Sequence, residues 1–167
     1  MRWSRIKPPQ TDLLNINEVI IETITLTRSE ILRNDVSLET QLPKDLPAIR
    51  GDRVQLQQVF MNLVMNAVEA MSTVDEGTRE LKIGSGKDQE DRILVSVCDS
   101  GPALKSTNPD RFFEAFYSTK SNGMGIGLSV SRSIIESHHG RLWAAPNDGP
   151  GAKFSFSLPR SSEAITS

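Results

Sequence analysis

From Arg53 to Met71 the chain can be drawn as a helix that is apolar on nearly every side but one. At about 100° per residue, Leu56, Val59, Phe60, Leu63, Ala67, Ala70 and Met71 share one side, and Met61, Met65 and Val68 cover most of the rest. A helix of this kind has to be surrounded by other elements, and Gly51-Asp52 supplies its cap. Gln55, Gln58, Asn62, Asn66 and Glu69 stack on the remaining face. Amides and a carboxylate along a buried helix cost free energy unless they meet partners. Any one of them alone reads as bonded to neighbouring backbone or water. As an aligned set beside a glycine-rich segment they read as the wall of a polar ligand pocket.

The 167 residues are enough for one such domain and too few for two plus a linker. Met1 to Gln10, with Pro8-Pro9, reads as a leader or the end of a preceding linker, so the expected division is 1–12 leader, 13–160 domain and 161–167 flexible tail. Asn15-Ile16-Asn17 caps a first helix, with Val19, Ile20, Ile24, Ile31 and Leu32 at helical spacing to about Arg33. Val36, Leu38, Thr40 and Leu42 alternate as a strand, and Leu46 to Arg50 adds a short extended piece. Leu81, Ile83 and Ser85, then Ile93 to Asp99, predict a hairpin. Ser100 to Gly127 reads as a long loop, of the sort that is usually functional inside a compact domain. A third helix is expected over Leu128 to His138, then strands over Arg141 to Ala145 and Lys153 to Leu158. This order predicts an α+β, two-layer sandwich: a mixed, mostly antiparallel sheet of about five strands with about three helices on one face.

Composition narrows the function. With 37% apolar and 24% charged residues the chain is globular, and 19 Lys and Arg against 21 Asp and Glu give a net charge of -2. That balance supplies no broad basic field, so neither nucleic acid nor direct membrane contact is expected. Cys98 is the sole cysteine, which excludes an intrachain disulfide and a thiolate cage. His138 and His139 are adjacent, a poor arrangement for chelation. The absence of a long apolar stretch and of signal-peptide zoning points to the cytoplasm, with any membrane anchor lying elsewhere in a parent protein.

Gly123-Met124-Gly125-Ile126-Gly127 places glycines at alternate positions immediately before the third helix. Such a run brings backbone N–H groups close to a ligand, while the helix turns its positive end to an anion. It serves as a phosphate cradle or as a simple hinge. Neither the dinucleotide nor the Walker pattern is met. Lys120, just upstream, can add a point charge to a phosphate. Asp99-Ser100-Gly101 closes an apolar strand with a carboxylate able to accept a hydrogen bond from an exocyclic amine, or with an ordinary turn.

In this order the segments resemble the ATP-binding catalytic domain of bacterial sensor histidine kinases, within the superfamily of gyrase, Hsp90 and MutL ATPases. Gln57 to Met71, containing Asn62 and Asn66, is similar to the family's N box, and Asp99-Ser100-Gly101-Pro102 to its first glycine box. Phe113-Glu114-Ala115-Phe116-Tyr117-Ser118-Thr119-Lys120 is similar to the F box, and Gly123 to Leu128 to the second glycine box. The Asn-Ala-Val-Glu-Ala and Phe-Tyr-Ser-Thr-Lys variants are most like those of nitrogen- and oxygen-responsive kinases. The resemblance implies the Bergerat-type ATP-binding fold, with ATP and Mg²⁺ as ligands. It implies that Asn66 holds the Mg²⁺ and that Asp99 receives the adenine amine, with Gly101 admitting the base. It places Thr119, Lys120, Gly123, Met124, Gly125, Ile126, Gly127 and Leu128 along the nucleotide, and Asn62, Asn66 and Lys120 in catalysis. Asn62 stands where hydrolytic relatives carry a Glu, and an amide cannot act as a general base. That favours transfer to a protein side chain over hydrolysis.

The family's phosphoacceptor His sits on a separate dimerisation element, and neither histidine here matches it. The implied function is therefore the catalytic domain alone, a monomer in isolation. Its partners would be the parent's dimerisation domain and a response-regulator receiver domain. Ala103, Ala115, His139 and Lys153 depart from the family pattern, respectively in the first glycine box, in the F box, in the His-Gly-Gly after the third helix, and at a Thr that supports the adenine-binding Asp. They leave open a catalytically weak nucleotide-binding interaction module. An anti-sigma-type protein-serine kinase of the same superfamily is the other alternative.

Overall fold

The computed structural model describes residues 11–73, 77–102, 124–147 and 150–162, and of 124–126 the backbone only. The expected leader over 1–10, the F box, Ala103, Ala115 and the end of the tail lie outside the described residues.

Helix α1 spans Ile16–Arg33, and the Asn15 side chain caps it by accepting the Asn17 N–H at 2.9 Å. Ile16, Val19, Ile20, Ile24 and Ile31 form its buried stripe. Helix α2, Arg53–Ser72, starts from Asp52, whose carboxylate accepts the Gln55 N–H at 3.1 Å. Eight of its residues are buried, including Leu56, Phe60, Leu63 and Ala67, as the periodicity requires.

The remaining strands are β1 (Asp12–Leu14), β2 (Ser37–Gln41), β3 (Ile49–Gly51), β4 (Glu80–Lys87), β5 (Ile93–Asp99), β6 (Arg141–Pro146) and β7 (Ala152–Leu158). Five form one sheet in the order β2-β4-β5-β7-β6, in which only the β2–β4 pairing is parallel. The expected α+β sandwich is present. A separate antiparallel ribbon pairs β1 with β3, which the sequence reading lacked. Asp12, placed in the leader, is therefore already in a strand.

Alternation along the sheet decides where the helices go. Leu81, Ile83, Val95, Val97, Phe154, Phe156, Leu142 and Ala144 are buried on one face, against α2 and α3. The other face carries the register-matched row Glu39, Lys82, Cys98 and Lys153, and remains open. Burial pushes the Cys98 thiol up, an effect that Lys153 opposes only in part.

Helix α3 spans Met124–Ser137. It begins four residues before the expected Leu128, so Gly125 and Gly127 lie inside its first turn rather than in a loop ahead of it. His138 follows it, buried, and joins two elements. Its Nδ1 lies 2.9 Å from the Ile134 carbonyl and its Nε2 accepts the Asp52 N–H at 3.0 Å. These partners select the tautomer with the proton on Nδ1 and fix the end of α3 to the start of α2.

His139 adopts φ 65°, the left-handed conformation that ends many helices and favours glycine. At Gly140 an added Cβ would lie 2.1 Å from the Ser157 carbonyl oxygen. The two positions therefore need different things: the first a permissive backbone, the second an absent side chain. His139→Gly should raise stability by up to about 1 kcal/mol, since relief of left-handed strain is partly offset by the greater freedom of glycine in the unfolded chain. Gly140→Ala should lower it by more than that. Urea midpoints at constant m-value check both.

Candidate functional site

The site begins at the end of β5. Asp99 pairs in register with Leu81 and faces the buried side of the sheet, where it is 2% exposed. Its Oδ1 accepts two backbone N–H groups, from Gly101 at 2.8 Å and from Ala152 at 3.3 Å. Among the described residues Oδ2 accepts no hydrogen bond, so the carboxylate is fixed through one oxygen and offers the other. Burial raises the Asp99 pKa above the ordinary 3.8, and the two N–H groups oppose the shift without cancelling it.

Gly101 lies beneath this carboxylate and against α2. A Cβ there would stand 3.1 Å from Asp99 Oδ1 and 3.3 Å from the Ala70 carbonyl, so the absent side chain keeps the approach open. Ser100 tethers the same turn, accepting the Glu80 N–H at 2.8 Å and donating to the Thr78 carbonyl at 3.0 Å.

The polar stripe of α2 connects this turn to α3. Gln58 is exposed, whereas Gln55, Asn62, Asn66 and Glu69 are half-buried. Asn62 donates its amide to the Gly127 carbonyl at 3.2 Å and to the buried Ser131 hydroxyl at 3.1 Å. This ties α2 to the first turn of α3. The side chain of Asn66, one turn on, makes no hydrogen bond among the described residues and lies between the Asn62 tie and Ala70. At ~1.5 Å rise per residue, each is about 6 Å away along the axis. The structure thus brings Asn62, Asn66, Asp99, Gly101, Gly127 and Leu128 to one side of α2, Leu128 as a buried core residue. Gly125 enters through its backbone in α3. Thr119, Lys120 and Gly123 lie outside the described residues, as do the side chains of Met124 and Ile126.

The structure adds several participants. Lys153, where the resemblance expects a Thr supporting Asp99, pairs in register with Cys98 on the open face of the sheet. Its neighbour Ala152 supports Asp99 through its backbone N–H. Ser131, Asn147, Gly151 and Ala152 were not singled out in the sequence. Asn147 and Gly151 fall within the turn that the sequence marks from Pro146 to Gly151. The contacts of the others depend on which strands meet.

No group of three or more His, Cys, Asp or Glu that could hold a metal occurs among the described residues. The donor set instead suits a hard cation that brings most of its oxygens with an anionic ligand. The Asn66 amide oxygen is of the right type and is uncommitted. Likewise, no described helix is long and apolar enough to cross a membrane.

A two-layer sandwich with an acceptor carboxylate at a strand end, a polar-striped helix and a glycine-bearing helix start defines an ATP-binding domain. Residues 51–162 match the family of histidine kinase-, DNA gyrase B- and HSP90-like ATPases, and the chain belongs to that family. It is 37% identical to the sensor histidine kinase TmoS of Ectopseudomonas mendocina, over 87% of this chain and 15% of that protein. Against the sensor protein FixL of Bradyrhizobium diazoefficiens it is 39% identical, over 89% of this chain and 29% of the relative. The chain thus spans less than a third of these relatives. The nucleotide-free catalytic domain of histidine kinase ThkA superposes with a TM-score of 0.78 at 32% identity, covering 90% of this chain and 96% of that one. ThkA in complex with response regulator protein TrrA gives 0.77 at 28% identity, over 92% and 42% respectively.

Two measurements probe these contacts. Asn62→Asp replaces both donors with a carboxylate facing the Gly127 carbonyl, and should cost about 1 to 3 kcal/mol. Differential scanning calorimetry reads the loss. For Asp99, a folded pKa above the unfolded one contributes stability that is fully present at pH below the unfolded value. That contribution is lost as pH rises through the folded value. Nucleotide-free Asp99→Asn should therefore exceed the parent in stability at pH 7, with the gain shrinking toward pH 4.

Proposed function

We propose that this chain is the ATP·Mg²⁺-binding catalytic domain of a two-component sensor histidine kinase. It transfers the γ-phosphoryl group of ATP to a histidine on a separate dimerisation domain. The observation that carries the reading is the carboxylate of Asp99, fixed through Oδ1 and leaving Oδ2 to accept the adenine amine, beside the amide stripe of α2. The domain is taken as 13–160 together with Asp12. The sensor-kinase relatives favour this reading over an interaction module or an anti-sigma-type serine kinase.

Asp99 and Gly101 would seat the base at one end of α2. Asn62 holds the first turn of α3, so the backbone of Gly123, Gly125 and Gly127 and the flanking Met124 and Ile126 would lie along the phosphates, with Leu128 contributing backbone alone because its side chain is in the core. Thr119 and Lys120 would approach from the preceding segment, with Lys120 adding positive charge. Asn66 would hold Mg²⁺, which would supply positive charge against the negative charge that develops during transfer. In the transfer itself the unprotonated nitrogen of the acceptor imidazole attacks Pγ. An N–P bond forms, the bond from Pγ to the β,γ-bridging oxygen breaks, and ADP leaves. The chain's own contribution is orientation and charge, which suits a site with no general base at Asn62. Because ThkA is solved with a response regulator, a receiver domain is proposed as the onward acceptor. The isolated domain is proposed to be a monomer on the cytoplasmic side.

Two substitutions test the division of labour. Asp99→Asn puts an NH₂ or a weaker acceptor against the adenine amine, and should cost about 1.5 to 3 kcal/mol of ATP affinity by isothermal titration. Asn66→Ala should spare most of that affinity while phosphotransfer to a supplied dimerisation domain falls by far more. The reading fails if a folded Asn66→Ala protein transfers phosphate at the parental rate with Mg²⁺ present. In the parent, acidification through the raised Asp99 pKa should weaken ATP binding, because the neutral carboxyl is a poorer acceptor.

A further inference from the structure

Asp99 is held at both its carboxylate and its main-chain carbonyl, and the side chain that holds the carbonyl comes from 48 residues away in the chain. The β5–β7 ladder ends at the pair Cys98 and Lys153. One residue further, the carbonyl oxygen of Asp99 accepts the side-chain amide of Asn147 at 3.0 Å. Asn147 follows β6, is half-buried, and also donates its own N–H to the Gly151 carbonyl at 3.2 Å. Its amide makes a longer contact, 3.5 Å, with the Pro150 carbonyl. Gly151, at φ 105°, is pressed so closely that a Cβ there would stand 1.9 Å from the Asp99 carbonyl oxygen. On the other side of the same Cα, Gly101 and Ala152 hold Oδ1.

We propose that Asn147 is a positioning residue for adenine recognition, fixing the main chain of Asp99 so that its Oδ2 is already aimed at the exocyclic amine before nucleotide arrives. The inference rests on the reading of Asp99 as the adenine acceptor. A ladder donor at this point would have to come from backbone. The Asn147 side chain replaces it where β7 turns away, and so extends the grip by one residue past the last strand pair. With the carbonyl held on one side and Oδ1 on the other, neither the backbone nor the side chain of Asp99 has to be ordered on binding. That removes an entropic cost from affinity. The groups that handle the phosphates lie on α2 and α3, away from this contact, so the chemical step should not sense it.

The test compares ATP with purine riboside triphosphate, which lacks the exocyclic amine, on the 167-residue chain. Asn147→Ala should weaken ATP binding about fivefold, as expected for one net hydrogen bond. It should leave the deamino nucleotide nearly unchanged, and the rate of transfer to a supplied dimerisation domain at saturating ATP should stay parental. Asn147→Leu, of similar shape but without the donor and without added charge, should behave alike and serves if the alanine variant does not fold. Equal losses for both nucleotides, or no loss for ATP, overturn the proposal. Asp99→Asn distinguishes the failures. If that variant keeps the parental preference for ATP over the deamino nucleotide, the adenine assignment itself is wrong. If Asp99→Asn loses the preference and Asn147→Ala retains it, the positioning role alone is wrong.

Discussion

The contact of Gly151 with the carbonyl of Asp99 governs the geometry of the site. Because no side chain stands at Gly151, β7 can begin close enough to the end of β5 for the Ala152 N–H to reach Oδ1. The same closeness buries the carboxylate, and burial raises its pKa. A carboxyl group is thus kept where burial works against its charged form.

Helix α2 is the second support. It packs against the sheet and both other helices, and its polar face carries the half-buried amides of Gln55, Asn62 and Asn66. The two asparagines on that face are used differently. Asn62 is bonded to α3 and sets where the glycine-bearing turn lies. Asn66 is left uncommitted among the described residues, which is what a ligand-binding oxygen requires. Two chemically identical side chains, one turn apart, thus separate into a fastening and a candidate ligand through their neighbours alone.

At the opposite end of α3 the histidine pair divides in a comparable way. His138 is buried and bonded through both ring nitrogens, pinning α3 to the capping residue of α2. His139 contributes its carbonyl to Arg92 and otherwise occupies a conformation better suited to glycine. Its departure from the usual His-Gly-Gly therefore affects the backbone of a helix end, remote from the Asp99 carboxylate. Lys153 likewise stands away from the Asp99 carboxylate, beside Cys98 on the open face of the sheet.

What the sequence determined by itself was whatever repeats over a short stretch: the buried stripe of α1, the one-faced polarity of α2, the alternation of β4 and β5, and the boxes that gave the family. These are local consequences of 3.6 and 2 residue periods, and burial only reinforced them. A three-residue strand such as β1 has no period to detect, and the glycines at the start of α3 look like loop by propensity, although the helix includes them and Gly127 lies against Asn62. The face taken by Lys153, the reach of Ala152 and the hold of Asn147 on Asp99 were decided only by tertiary structure. Each depends on the register between strands far apart in the chain, and a shift of one residue would send every side chain to the other face.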